Sequence, residues 1–228
     1  MKTPALVFNG AALYCPVHER LLEERVLSNR TLRKALAFGR EHDLVTVLMT
    51  GDKKLASPPR DALESAALAG LHQLQVVPRD ELDAEFVIRV TYFSRNHATS
   101  LLLAEDVERA IGEPVYITHF PLNALASHRM SPLAVLDLHP PCRGKAEGVR
   151  ILGERFGIAP ERIVAVGDAS NDVPMFEAAG LAVAMQDSMP EALAAADRVI
   201  GDNDGAAIAE LVEELFFARA DSREPSRA

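Results

Sequence analysis

Apolar positions change their spacing near residue 140, and the change sorts the predicted elements into two sets. Residues 4–8, Pro-Ala-Leu-Val-Phe, read as a short buried strand that stops at Asn9-Gly10, a strong turn signal. Ala11 to Tyr14 and Leu21 to Val26 then read as a small hairpin. Ser28 is placed to cap a helix through about His42, with Leu32, Leu36 and Phe38 as its apolar positions. Leu44 to Met49 is a β-branched strand, and Pro58-Pro59 is expected to open a helix bearing Ala62, Ala66, Leu68 and Leu71. A half-buried strand over Phe86 to Phe93, a helix over Ser100 to Ile111 and strands over Val115 to Phe120 and Leu133 to Leu138 follow. Together they predict helices covering a largely antiparallel sheet.

Beyond His139-Pro140-Pro141 short apolar strands and helices alternate regularly. Helices are predicted over about Lys145–Phe156, Asp172–Ala179, Pro190–Ala195 and Ala206–Ala218, and strands over Arg162–Val166, Leu181–Met185 and Arg198–Ile200. That alternation predicts a parallel, doubly wound sheet. Asp221–Ala228 is expected to fray.

Length and composition narrow the classes without changing this picture. With 228 residues, 48% hydrophobic and 25% charged, the chain has material for one large domain or two small ones. The net charge of −9 argues against a nucleic-acid surface, which needs a basic stripe, so an anionic ligand must be met by a local site. Two cysteines, Cys15 and Cys142, make neither a disulfide framework nor a multi-cysteine zinc site. No apolar run approaches the roughly 18 residues of a membrane span. The start lacks a small-x-small cleavage pattern, and a cytoplasmic location is expected.

The segment richest in chemistry is Ile163-Val-Ala-Val-Gly-Asp-Ala-Ser-Asn-Asp172. An apolar strand stops at Gly167, and Asp168, Asn171 and Asp172 crowd the following loop, at the strand end where open α/β sheets bind ligands. Two carboxylates and an amide oxygen suit a hard cation such as Mg²⁺. The plainer alternative is that Asp168 and Asn171 only turn the chain and Asp172 caps the next helix. Gly144-Lys145 opens the helix before that strand, where an ammonium and backbone N–H groups meet a phosphate. Arg89, Arg95, His97 and Arg129 are candidates to face a phosphorylated sugar, although arginines more often sit on solvated faces. His18, His42, His72, His97, His119, His128 and His139 lack metal-ligand spacing, and Met175, Phe176 and Met185 read as core.

The run from Gly144-Lys145 through Gly167-Asp-Ala-Ser-Asn-Asp172 to Ala178-Ala-Gly-Leu-Ala-Val-Ala-Met185 resembles the C-terminal half of a Cof-type phosphatase of the haloacid dehalogenase-like (HAD) superfamily. Asn9-Gly-Ala-Ala-Leu-Tyr14 is similar to the segment where that family's chain leaves its core for a large α/β cap. The resemblance implies an α/β fold with a Rossmann-like parallel core, incomplete at its N-terminus. Residues 1–10 would be a core strand leading into the cap, 11–140 the cap, 141–220 the core and 221–228 a flexible tail. It also implies Mg²⁺-dependent hydrolysis of a small phosphorylated metabolite, such as a sugar phosphate, through an aspartyl-phosphate. Asp168 would ligate Mg²⁺, with Asn171 and Asp172 ordering the metal and phosphate surroundings. Lys145 would neutralise the phosphoryl group, and Asn9 and Gly10 would join Lys145 and Asn171 in holding substrate or phosphate. A metal and a lysine stabilise charge on the transferring oxygens while a carboxylate attacks.

The family's nucleophile loop, Asp-x-Asp-Gly-Thr, and its Ser/Thr motif do not appear before Asn9. Asp202-Asn203-Asp204-Gly205-Ala206 imitates the loop with Ala in place of Thr, but it falls where the family has a turn before its last helix. Asp204 is expected to cap that helix. The 228 residues are therefore expected to be a partial product, from a mis-assigned start or a decayed gene, without autonomous activity. Otherwise a homo-oligomer or a partner chain would cover the apolar edge of strand 162–166. The alternative function is a non-catalytic phosphate- or metabolite-binding or regulatory protein that keeps the cap and half of the site. A two-domain nucleotide-binding protein is disfavoured, since neither Gly-x-Gly-x-x-Gly nor Gly-x-x-x-x-Gly-Lys-Ser/Thr occurs.

Overall fold

The computed structural model describes residues 4–217, and the chain divides into two compact units, Met1–Arg143 and Gly144–Ala228. The first unit opens with β1 (Ala5–Val7), β2 (Ala12–Cys15) and β3 (Arg20–Glu24), joined antiparallel in the order β1-β2-β3. Between β1 and β2 the chain turns through Phe8 and Asn9, both left-handed, and Gly10.

α1 (Asn29–Glu41) starts where the sequence predicts, with Ser28 Oγ accepting the Thr31 N–H at 3.0 Å. Its buried stripe of Leu32, Ala35, Leu36 and Phe38 lies on one face of a six-stranded sheet. That sheet is built of β4 (Val45–Met49), β5 (Lys54–Ala56), β6 (Leu74–Val76), β7 (Arg89–Ser94), β8 (Tyr116–Pro121) and β9 (Ala134–His139). The order is β6-β5-β4-β7-β9-β8, antiparallel throughout except for the β5–β6 pair. α2 (Ala62–Ala69) and α3 (Ser100–Ile111) complete the unit. α1 and α3 cover the face bearing Leu48, Val90, Tyr92, Leu136 and Leu138. Ala67 and Leu68 of α2 pack with Val45, Val47, Phe93 and Val135 of the other face.

Two expectations change here, and two short strands are new. Asp61, not Pro58-Pro59, opens α2, because its carboxylate accepts the Glu64 N–H at 3.0 Å. The strand predicted from Phe86 begins only at Arg89, since Phe86 is left-handed and cannot continue a ladder. β5 and β6 are three residues each, too short for periodicity to reveal.

The second unit alternates as predicted: α4 (Ala146–Phe156), β10 (Val164–Gly167), α5 (Val173–Ala178), β11 (Leu181–Met185), α6 (Pro190–Ala195), β12 (Arg198–Ile200) and α7 (Ala207–Val212). β10, β11 and β12 form a parallel sheet in that order, and β10 pairs with β11 alone among the described residues. α7 gives way to a π-helical turn over Glu213–Phe217. The expected helix end at Ala218 and the 221–228 tail lie outside the described residues. Asp204 does not cap α7, whose N-cap is Ala206 with no side-chain bond. Among the described residues no helix is long and apolar enough to cross a membrane.

Candidate active site

The parallel sheet of the second unit fixes where its chemistry can sit, because β10 delivers the Gly167–Asp172 loop at its carboxyl end. Asp172 is buried, and its carboxylate organises the loop. One oxygen accepts the backbone N–H groups of Asp168 and Ala169, at 3.0 and 3.1 Å. The other meets Lys145 Nζ at 2.5 Å. Gly167 makes room for this arrangement. A Cβ on it would lie 2.4 Å from Asp172 Cγ, closer than any real contact.

Lys145 reaches Asp172 from the start of α4. Gly144, with φ of +60°, turns the chain through a left-handed conformation just before it. The lysine side chain is one-third exposed, so one end of the ion pair is open to solvent. Asp168 is exposed, while its backbone is pinned at both ends: the N–H goes to Asp172, and the carbonyl accepts from Met189 N at 2.8 Å. Asn171 lies in the adjoining 3-10 turn, Ser170–Asp172.

This geometry divides the labour differently from the sequence reading. Asp172, expected near a cation, has both oxygens committed to the lysine and to loop N–H groups. Asp168 is left as the open carboxylate of a rigid loop, and among the described residues no three His, Cys, Asp or Glu side chains gather as a metal cluster. Mg²⁺ commonly takes only one or two carboxylates and fills its remaining positions with water and phosphate oxygens, so an exposed Asp168 fits that donor demand. The lysine–aspartate clamp across 27 positions is what sequence reasoning missed, and no periodicity signals it.

Asn9 and Gly10 belong to the first unit. Asn9 has φ of +50°, and its Nδ2 lies 3.4 Å from both Thr118 Oγ1 and His139 Nε2. His139 is fully buried, and burial lowers its pKa to about 4, so it is neutral near pH 7. Arg95 and His97, candidates for a phosphorylated sugar, serve structure instead. Arg95 pairs with Asp61 and Glu64, and His97 bridges Ser94 and Asp106. Ser94, His97 and Asp106 stand in nucleophile–base–acid order, yet Ser94 is completely buried and its oxygen also holds the Asn96 N–H, so no substrate reaches it. Arg129 is exposed.

Comparison with known proteins gives these features a family. The family model for haloacid dehalogenase-like hydrolases matches residues 1–212. The chain belongs to that family, as the Cof-type resemblance implied. It is 37% identical over 72 residues to a phosphoglycolate phosphatase of Methanopyrus kandleri, a match covering 32% of this chain and 31% of that protein. In fold it is similar to the HAD subclass IIB sugar phosphatase BT4131, with a TM-score of 0.73, 20% identity, and coverage of 92% of this chain and 75% of that one. A haloacid dehalogenase-like hydrolase from Bacteroides thetaiotaomicron gives a TM-score of 0.70 at 22% identity, covering 94% and 77%.

Proposed function

We propose that this chain is a Mg²⁺-dependent phosphatase acting on a small phosphorylated metabolite such as a sugar phosphate, with residues 11–140 as its specificity domain. One observation carries the reading: a buried aspartate clamps a lysine beside an exposed carboxylate at the carboxyl end of a parallel strand. Relatives and neighbours named as phosphoglycolate and sugar phosphatases support the substrate class.

The residues divide the work as follows. Lys145 brings a fixed positive charge to the phosphoryl oxygens, and its pairing with Asp172 removes the entropy of orienting a flexible side chain at the moment of reaction. Asp172 itself stays out of the chemistry and holds loop and lysine in register. Asp168, with Asn171 beside it, would hold Mg²⁺. When bound, the metal supplies charge neutralisation for the transferring phosphoryl group. The aspartyl-phosphate route needs a carboxylate nucleophile, and the Asp-x-Asp-Gly-Thr motif for it does not occur in these 228 residues. Asp168 and Lys145 are therefore assigned metal and phosphate, not attack.

Thermal unfolding in MgCl2 with inorganic phosphate tests this reading without requiring turnover. The wild-type chain should gain stability, Asp168→Asn should lose the Mg²⁺-dependent part and Lys145→Met the phosphate-dependent part. Equal shifts in wild type and both variants would remove these residues from the site.

A further inference from the structure

Period-2 alternation gives the six-stranded sheet a polar strip on the face opposite α1 and α3. Arg89 and Thr91 of β7 point to the same side as Asp137 and His139 of β9 and Thr118 of β8, with Asp137 flanked directly by Thr91 on one side and Thr118 on the other. Farther along, the same face is apolar, with Phe93, Val135 and Phe120. Thr91, Asp137 and His139 are all buried, and Arg89 keeps about a quarter of its side chain exposed. A strip of this kind is costly to bury unless its groups are hydrogen-bonded.

Arg89 is poorly bonded, and that sets it apart from Arg60 and Arg95 of the same unit. Arg60 grips Glu64 with Nε at 2.9 Å and Nη2 at 2.5 Å, and Arg95 reaches Asp61 at 2.6 Å. Arg89 Nη1 makes a long contact to Asp137 at 3.4 Å, at the outer edge of hydrogen-bonding range, while the other oxygen of that carboxylate takes the Thr91 hydroxyl at 2.5 Å. The opposite, Nε–Nη2 edge of the guanidinium binds carboxylates in two parallel bonds. Here Nη2 meets only the Met49 thioether, a weak acceptor, and buried Nε has no partner among the described residues. The Phe8 ring lies under the guanidinium, 5.8 Å from Cζ. His139 Nδ1 in the same strip is likewise buried without a partner among the described residues.

We infer that Arg89 is a ligand-binding residue of the first unit, presenting its Nε–Nη2 edge to an anionic oxygen pair, a carboxylate or a phosphate, of a small organic anion. Met49 is unbranched and adaptable, and it yields that edge when the anion enters. Asp137 is the internal competitor that holds the guanidinium in place while the ligand is absent. This inference goes beyond the phosphatase reading and stands on different residues, so a missing Mg²⁺ or phosphate response at Asp168 and Lys145 leaves it untouched.

NMR titration of the full chain tests it, read at the Arg89 side-chain Nε–H and the Met49 methyl group. The probes are glycolate, inorganic phosphate and, as a neutral control, glycerol. At least one anion should move both signals and glycerol neither; a response to glycolate alone identifies a carboxylate, and to phosphate alone a phosphate. Arg89→Lys keeps the charge but loses the fork, and should weaken the Met49 response roughly tenfold or more. Asp137→Asn removes the competitor and should strengthen binding, an effect opposite in sign to damage to the fold. The inference fails if neither anion moves the two signals, if glycerol moves them equally, or if Asp137→Asn leaves anion affinity unchanged or lower.

Discussion

In unit Met1–Arg143 the interior is built from Leu44, Leu48, Ile88, Tyr92, Leu103, Ile111, Leu136 and Leu138, all fully buried. In unit Gly144–Ala228 one buried cluster is built from Ala165, Ala182, Ala184 and Ala192 around Phe176, with Val149, Val183, Met185 and Leu211 also buried. Both units leave large apolar side chains half-exposed or more, among them Phe86 and Met130 in the first and Phe156, Phe216 and Phe217 in the second. The first unit is thus held by the area of large side chains removed from water. The second relies on close approach of small residues and on the buried carboxylate of Asp172, and the same close approach shapes the site loop. One unit tolerates polar irregularity because its core carries the stability, and the other spends its few buried groups on geometry.

The largest effect should come from truncating the first core. Leu136→Ala removes a fully buried side chain of the cluster on the sheet face that α1 and α3 cover, and such changes cost about 2–5 kcal/mol. All three tyrosines, Tyr14, Tyr92 and Tyr116, lie in the first unit and the chain has no tryptophan, so tyrosine fluorescence during urea unfolding reports that unit alone. An unchanged midpoint would mean the six-stranded sheet is not the stability core of its unit.

Acid should come next. Buried His139 has its pKa lowered to about 4 by burial, with the Arg89 charge lowering it further and Asp137 opposing. The unfolded chain, whose histidine keeps the ordinary value of 6.5, therefore binds a proton first as pH falls. The stabilisation is complete above about pH 6.5 and drains away between there and about pH 4, at about 1.4 kcal/mol per pH unit and about 3 kcal/mol in all. The carboxylates of Asp61, Glu64, Asp106 and Glu113, held below their ordinary range, lose their share lower on the scale. Urea midpoints by tyrosine fluorescence at pH 7 and pH 5 should differ in the wild type and nearly coincide in His139→Gln. A wild-type midpoint flat over that interval would refute the assignment.

Enlargement, not truncation, should damage the second unit. Gly167→Ala places a Cβ against the Asp172 carboxylate and should cost about 1–3 kcal/mol, as overpacking does. Amide exchange at Asp168 and Ala169 should accelerate as their shared acceptor is displaced, and the response to Mg²⁺ and phosphate should disappear. The tyrosine transition of the first unit should stay where it is. Protection of both amides in the variant would show that Asp172 does not depend on the glycine.

Sequence carried far where a residue acts on its own neighbourhood. Ser28 capping α1, the alternation after residue 140 and the strand ending at Gly167 are local signals, and the structure contains each of them. What escaped was fixed by distant partners. β5 exists because β4 offers a ladder to a three-residue segment with little pattern of its own, and β6 because β5 offers one in turn. The role of Asp172 depends on a lysine 27 positions away, and the loose Arg89–Asp137 pair goes with Thr91 engaging the same carboxylate across a strand pair. Arg95 and Arg89 look alike in sequence, and only their carboxylate neighbours separate a structural arginine from an open one.

The smallest expected effect sharpens the comparison at the helix starts. α1 begins with a side-chain cap, Ser28 Oγ to Thr31 N–H, whereas α4 of the second unit begins at Lys145 with none. Ser28→Ala should therefore cost about 1 kcal/mol, read at the tyrosine transition. The cap is not isolated: Ser28 Oγ lies 2.8 Å from the Thr31 hydroxyl, which donates to Glu113 Oε2 at 3.0 Å. Thr31→Val, alone and with Ser28→Ala, should thus give a double mutant less destabilised than the sum of the single changes, because both disturb one network. Strict additivity would make the serine a purely local cap, and the first unit would then owe nothing at this helix start to the Glu113 network.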